Sequence, residues 1–111
     1  MKRRIKVIDF PVFASYVVHI EVTSDLRRSM SRYPQTEMID VDDDTHAMAV
    51  HEAHNGMSFM FLPYNSTPGT IAHESWHIIL RMMDYLGVEN DSETMAYHLG
   101  YLVDQVWKLM K

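Results

Sequence analysis

The sequence predicts a small α+β domain: an antiparallel, or mixed, sheet of three to four strands packed on one central helix and a long C-terminal helix. Two observations carry that reading. The segments 47–52 and 57–62 alternate apolar with polar residues around His54-Asn55-Gly56, and Asn-Gly favours the positive φ angles of a tight hairpin turn. Further on, two stretches show apolar residues at helical spacing, one between Thr67 and Gly87 and one running to the C-terminus.

The elements follow in order. Residues 5–10 and 16–22 are rich in β-branched and aromatic side chains, which suit half-buried strands. Pro11 closes the first run, so the second is the better central strand. Thr23-Ser24-Asp25 offers N-cap oxygens for a short helix over 25–33, its arginines turned to water, and Pro34 stops it. Asp40, Asp42, Asp43 and Asp44 lack the glycine and spaced glutamate of a calcium loop and are expected as a solvated acidic loop. After the hairpin, Thr67 caps a helix with Pro68 in its first position, and Gly87 ends it. Ile71, Ile78, Ile79, Met82 and Leu86 form its core stripe, while Arg81 and Asp84 are polar. In the last helix Met95, Leu99, Leu102, Val106 and Leu109 make one seam, with Val103, Trp107 and Met110 beside it. So wide a stripe is either wrapped by sheet and helix or serves as a self-association surface, hence a homo-oligomer through the C-terminal helix.

At 111 residues the chain is one domain, 1–111, with material for a single core. Ten basic against 15 acidic residues give a net charge of -5, which argues against nucleic acid or an anionic membrane as partner. With no cysteine, any bound metal is held by nitrogen and oxygen. The basic start Met1-Lys2-Arg3-Arg4 is followed by Lys6, Asp9 and Pro11, too charged for a signal peptide, and no stretch reaches the length of a membrane span. A cytoplasmic protein is expected.

Chemistry enters at His73-Glu74-Ser75-Trp76-His77. Histidines four apart on a helix share a face, so their ring nitrogens can close on one cation, of which Zn²⁺ is the usual choice. Glu74 leaves the same side of the helix, where it can hold and deprotonate a metal-bound water. With seven histidines in the chain, shuffling would produce this pattern by chance about 2% of the time, so its weight rests on the helix that carries it. His51-Glu52-Ala53-His54 looks like a shortened copy, but on a strand residues three apart face opposite ways and do not chelate; His54 is a candidate only to overhang the site.

A zinc site that works on substrate usually has three protein ligands and one open position. Glu93 and His98 both follow the motif, and spacing leaves the choice open. In a plain helical hairpin His77 lies about 15 Å along the axis from Gly87, which leaves Glu93 low and His98 nearly level; a loop that doubles back reaches far enough to bring Glu93 to the metal. Glu93 also fits a capping box with Asn90.

The motif, a later glutamate and a helical return resemble the gluzincin zinc metallopeptidases, with His73, Glu74, His77 and Glu93 in the matching places. More narrowly, Phe61-Leu62-Pro63, Pro68-Gly69-Thr70-Ile71-Ala72-His73-Glu74 and Asp91-Ser92-Glu93-Thr94-Met95-Ala96-Tyr97-His98-Leu99-Gly100 resemble short phage-encoded proteins described as metallopeptidases. The resemblance implies a minimal gluzincin core, Zn²⁺ on His73, His77 and Glu93, and a host cytoplasm as its setting. Only 15 residues separate His77 from Glu93, fewer than in many larger gluzincins.

The expected reaction is peptide-bond hydrolysis, Glu74 taking the proton of the attacking water and passing it to the leaving nitrogen. Tyr97, one turn after Glu93, is the first candidate to support the oxyanion and Tyr64 the second. Strand 57–62, if it is the sheet edge over the cleft, would pair with an extended peptide or protein substrate. The alternative function is a non-catalytic, zinc-stapled module that binds a host or viral protein.

Overall fold

The structure, a computed structural model, describes residues 2–11, 13, 15–34, 47–52, 56–88 and 91–111. Its elements are β1 (Arg3–Asp9), β2 (Val17–Thr23), α1 (Leu26–Met30), β3 (Met48–Glu52), β4 (Met57–Leu62), α2 (Pro68–Leu86) and α3 (Ser92–Met110). The acidic stretch 40–44 and His54 lie outside the described residues.

The strands form one mixed sheet in the order β1-β2-β4-β3. β1 pairs antiparallel with β2, β2 parallel with β4, and β3 antiparallel with β4. The expected α+β class therefore stands, with the mixed sheet as its form. The predicted hairpin is present in register, Met48 opposite Phe61 and Glu52 opposite Met57. Gly56 closes its turn at φ 60°, and its carbonyl accepts from Val17 N at 2.9 Å, tying the turn to β2. A Cβ there would sit 3.1 Å from the Ser15 carbonyl oxygen, so glycine serves both conformation and space.

β1 is an edge strand, exposed along most of its length and carrying Arg3, Arg4 and Lys6, charges that discourage edge-to-edge pairing. The other edge is β3. Strand β4, expected as a possible edge, is interior. The reason is its parallel pairing with β2, a long-range choice that leaves β3 outermost.

Helices cover both faces. α2 and α3 lie on one, and Val18, Ile20, Met60 and Leu62 meet Ile71, Ile78, Ile79, Met82, Leu102 and Val106 in the main core. On the other, α1 covers a smaller cluster of Met30, Val50, Phe59 and Phe61. α2 has the predicted limits. The Thr67 side chain accepts from Thr70 N, Pro68 opens the helix, and Gly87 ends it at φ 67°. α1 is shorter than expected but capped as foreseen, Asp25 accepting from Arg28 N. In α3 the cap is Asp91, not Asn90; it accepts from Glu93 N, with Thr94 Oγ1 donating to it at 2.8 Å. Glu93 is thus the second helical residue, one short of the position from which a capping box reaches back.

The end of α3 is tied to β1: Arg4 donates to the carbonyls of Leu109 and Met110, and Lys6 Nζ to Gln105 Oε1 at 2.8 Å. Trp107 remains 44% exposed. Among the described residues no helix is long and apolar enough to cross a membrane.

Candidate metal and peptide site

The motif sits in the second and third turns of α2, directly after the β4–α2 link fixed by the Thr67 cap. One turn apart and both exposed, His73 and His77 aim their rings at each other. Their Nε2 atoms are 3.2 Å apart and their ring planes cross at 82°. Two nitrogens on one tetrahedral zinc, each at 2.0–2.1 Å, are about 3.3 Å from one another. A gap of that width suits a shared proton or a shared cation, and the pair has the spacing of two zinc ligands.

Glu74 is turned about 100° from His73 and faces inward. It is 8% exposed, and its Oε2 has no hydrogen-bond partner among the described residues. Burial pushes this carboxyl above the usual carboxylate range, and the imidazoles of His73 and His77 only partly offset it. A buried carboxyl without a partner is costly unless something meets it, and Glu74 opens on a cleft. That cleft, about 540 Å³, runs between α2 and the outer strand. Glu74, His77, Ile78 and Arg81 form one wall, Ala47 to Val50 the other, and Ser58 closes it. The strand beside the site is therefore β3, and the exposed sheet edge expected there belongs to it rather than to β4.

The other predicted residues stand elsewhere. Among the described residues no three His, Asp or Glu side chains come together to hold a metal, so the structure brings His73 and His77 together but not Glu93, which is exposed in the first turn of α3. His98 is buried in the core. Its Nδ1 donates to the Thr94 carbonyl at 2.7 Å, and its ring stacks on Phe13 at 4.7 Å and tilts against Phe10. Its Nε2 is buried with no hydrogen-bond partner among the described residues, and it is not grouped with the motif histidines. Tyr97 is 57% exposed, edge-on to His98, and does not line the cleft. Tyr64 lies under the Arg4 guanidinium, 5.5 Å from its ring centre, in a separate basic hollow with Lys2, Arg3 and Ser24. His51 is on β3 opposite Ser58.

Sequence reasoning passed over Arg81, treating it as merely polar. The signal was there: 73, 77 and 81 continue one spacing of four, so a residue four after the second histidine stays over the same cleft.

No family model, curated protein or solved structure matches the chain.

Proposed function

We propose that this protein is a zinc-dependent peptidase acting on an extended peptide or protein segment laid along β3. The reading includes a cytoplasmic setting, the host's if the protein is phage-encoded. The single observation that carries it is the placement of a buried carboxyl, Glu74, whose Oε2 has no hydrogen-bond partner among the described residues, beside two imidazole nitrogens 3.2 Å apart, at the mouth of a cleft.

The donors present fit a zinc ion in part. His73 and His77 supply two nitrogens at the right separation, and Glu93 is the carboxylate that the gluzincin resemblance offers as the third ligand. Bound there, zinc would supply Lewis acidity towards the substrate carbonyl. The chain's own residues do the rest. Glu74 Oε2, without a hydrogen-bond partner among the described residues, accepts a proton from the attacking water and returns it to the leaving nitrogen. Its raised proton affinity suits that traffic better than a fully solvated carboxylate, because proton transfer is most efficient when donor and acceptor are matched near the working pH. The outer edge of β3 offers backbone groups to an extended chain, and the apolar wall of Ala47, Ala49 and Ile78 keeps water from the bond.

The test is elemental analysis of purified protein together with a cleavage assay on an unfolded protein mixture, wild type against Glu74→Gln. The expected result is one zinc per chain in both proteins and new peptide termini only with wild type. Zinc retained but no cleavage by wild type would turn the reading to a metal-stapled binding module. No zinc at neutral pH would end both.

A further inference from the structure

We propose that Arg81 receives a carboxylate of the substrate, so that the cleft takes peptides carrying an acidic group one or two residues from the bond beside Glu74. The inference rests on the peptidase reading and adds a substrate class to it.

Three observations support it. First, Arg81 is placed for the role. It follows Glu74 by seven residues on α2, about 10 Å along the axis, and lines the same cleft. An extended peptide advances about 3.3 Å per residue, so that distance covers about three residues, and an arginine side chain reaching back along the cleft brings the first two within reach. Second, Arg81 is the fixed cation among the residues lining the cleft; Ala47, Met48, Ala49, Val50 and Ile78 are apolar. Its charge also acts on the buried Tyr16 hydroxyl, which is hydrogen-bonded to Ser58 of the cleft lining. Third, no carboxylate among the described residues pairs with it. The ion pairs found there are Arg3–Glu21 and His19–Glu21, on the other face of the sheet. In a chain of net charge -5, a cleft cation with no acidic partner among the described residues has donors to offer an incoming one. Guanidinium is the side chain that grips a carboxylate with two parallel hydrogen bonds.

The carboxylate has two sources: the C-terminus of a peptide, or an aspartate or glutamate side chain within one. Three heptapeptides of alternating threonine and alanine separate them. One ends in a free carboxylate, one in an amide, and one in an amide with a central glutamate. Binding is followed by NMR titration on zinc-treated Glu74→Gln protein, which cannot consume the probe. One acidic peptide should bind about tenfold tighter than the neutral amide, a modest ratio because Arg81 is solvent-exposed. The tighter of the two identifies the source. In the double variant with Arg81→Gln the ratio should fall to about one, and Arg81→Lys should restore part of it. Equal binding of all three peptides overturns the proposal, as does a Kd above roughly 5 mM for every peptide or a ratio that survives Arg81→Gln.

Turnover by the otherwise wild-type enzyme gives a second readout. Arg81→Gln should raise KM for the acidic peptide and leave kcat nearly unchanged. A fall in kcat at constant KM would assign the guanidinium to the reacting oxygen instead and overturn the proposal. The two layers fail separately. Acidic preference in binding without cleavage of any peptide by wild type sinks the peptidase reading alone. Cleavage of the neutral amide, with Arg81 without effect, sinks this inference alone.

Discussion

Glu21 and Glu74 are both buried, on opposite sides of one sheet, and their surroundings pull them in opposite directions. Glu21 stands on β2 beneath α1. Tyr33 donates to its Oε1 at 2.8 Å, His19 Nε2 lies 3.4 Å from the same oxygen, and Arg3 is 3.7 Å from Oε2. Burial pushes its carboxyl up, but the nearby Ser29 hydroxyl, the contacts with Tyr33 and His19, and Arg3 outweigh that and hold it below the usual range. Glu74 is also buried, and its Oε2, like Glu21 Oε2, has no hydrogen-bond partner among the described residues; with only the imidazoles of His73 and His77 partly offsetting burial, its proton is held more tightly. Burial alone therefore does not say what a carboxylate is for. One held by donors and a cation contributes to the fold; one with fewer of them, facing a cleft, is a candidate to meet something that arrives later.

The sharpest way to break that contrast is exchange of each carboxylate for its amide. Glu74→Gln should lower cleavage about 10²- to 10⁴-fold, the usual range for loss of a proton-transfer group, while a thermal melt of the zinc-loaded protein stays close to wild type. Glu21→Gln should do the reverse: near-normal turnover per folded molecule and a loss of about 2 kcal/mol in urea unfolding, the cost of a hydrogen bond to a charged group. Equal stability losses in both variants would erase the distinction.

The imidazole pair sharpens the same contrast through metal content. His73→Ala should reduce zinc from one per chain to near none, since a single remaining nitrogen on an exposed helix face is a weak ligand. Zinc stoichiometry by elemental analysis reads this directly. Glu93→Gln should weaken zinc binding if the first turn of α3 supplies the third ligand when metal is present, while His98→Gln, a change deep in the aromatic core, should cost stability and leave zinc affinity alone. The opposite pattern would make His98 the ligand and require α3 to repack.

What could be read from the chain, and what could not, divides along the range of the interaction. Thr67, Pro68 and Gly87 announced the ends of α2 because capping chemistry is local. The β3–β4 hairpin was legible for the same reason, alternation on both sides of a turn. Strand order was not. The parallel pairing of β2 with β4 joins residues about 40 apart through α1 and β3, and nothing in either strand's pattern says which will be the edge. That one unknown moved the wall of the cleft from β4 to β3. His98 shows the same limit in another way. Histidine suggests a ligand, yet its neighbours Phe10 and Phe13 come from the β1–β2 link, far away in sequence. The His73–Glu74–His77 arrangement was visible because a helix fixes it, whereas the setting of Glu93 depends on a turn between helices.

The smallest effects expected are also the most diagnostic, because the two glutamates should respond to pH with opposite sign. Glu21 is held below its ordinary value of 4.5 in the folded protein. The stability it contributes is complete above about pH 4.5 and disappears as pH falls through the folded value, so the deficit of Glu21→Gln should be constant at neutrality and shrink in acid. Its partner Tyr33 is pushed up to about 12, by burial first and by Glu21 second. That contribution is complete below about pH 10 and vanishes as pH rises through 12, and Tyr33→Phe should converge on wild type there. Glu74 is raised, so in metal-free protein its charged form opposes folding. Glu74→Gln should then melt slightly above wild type at pH 7, and the gain should fade below about pH 4.5, where both states of the wild-type carboxyl are protonated. Urea midpoints of the three variants and wild type, taken in chelator from pH 3 to 11, would show the two glutamate curves diverging as the acid is neutralised. Parallel curves would mean that Glu74 has partners in solution and is not waiting for a substrate.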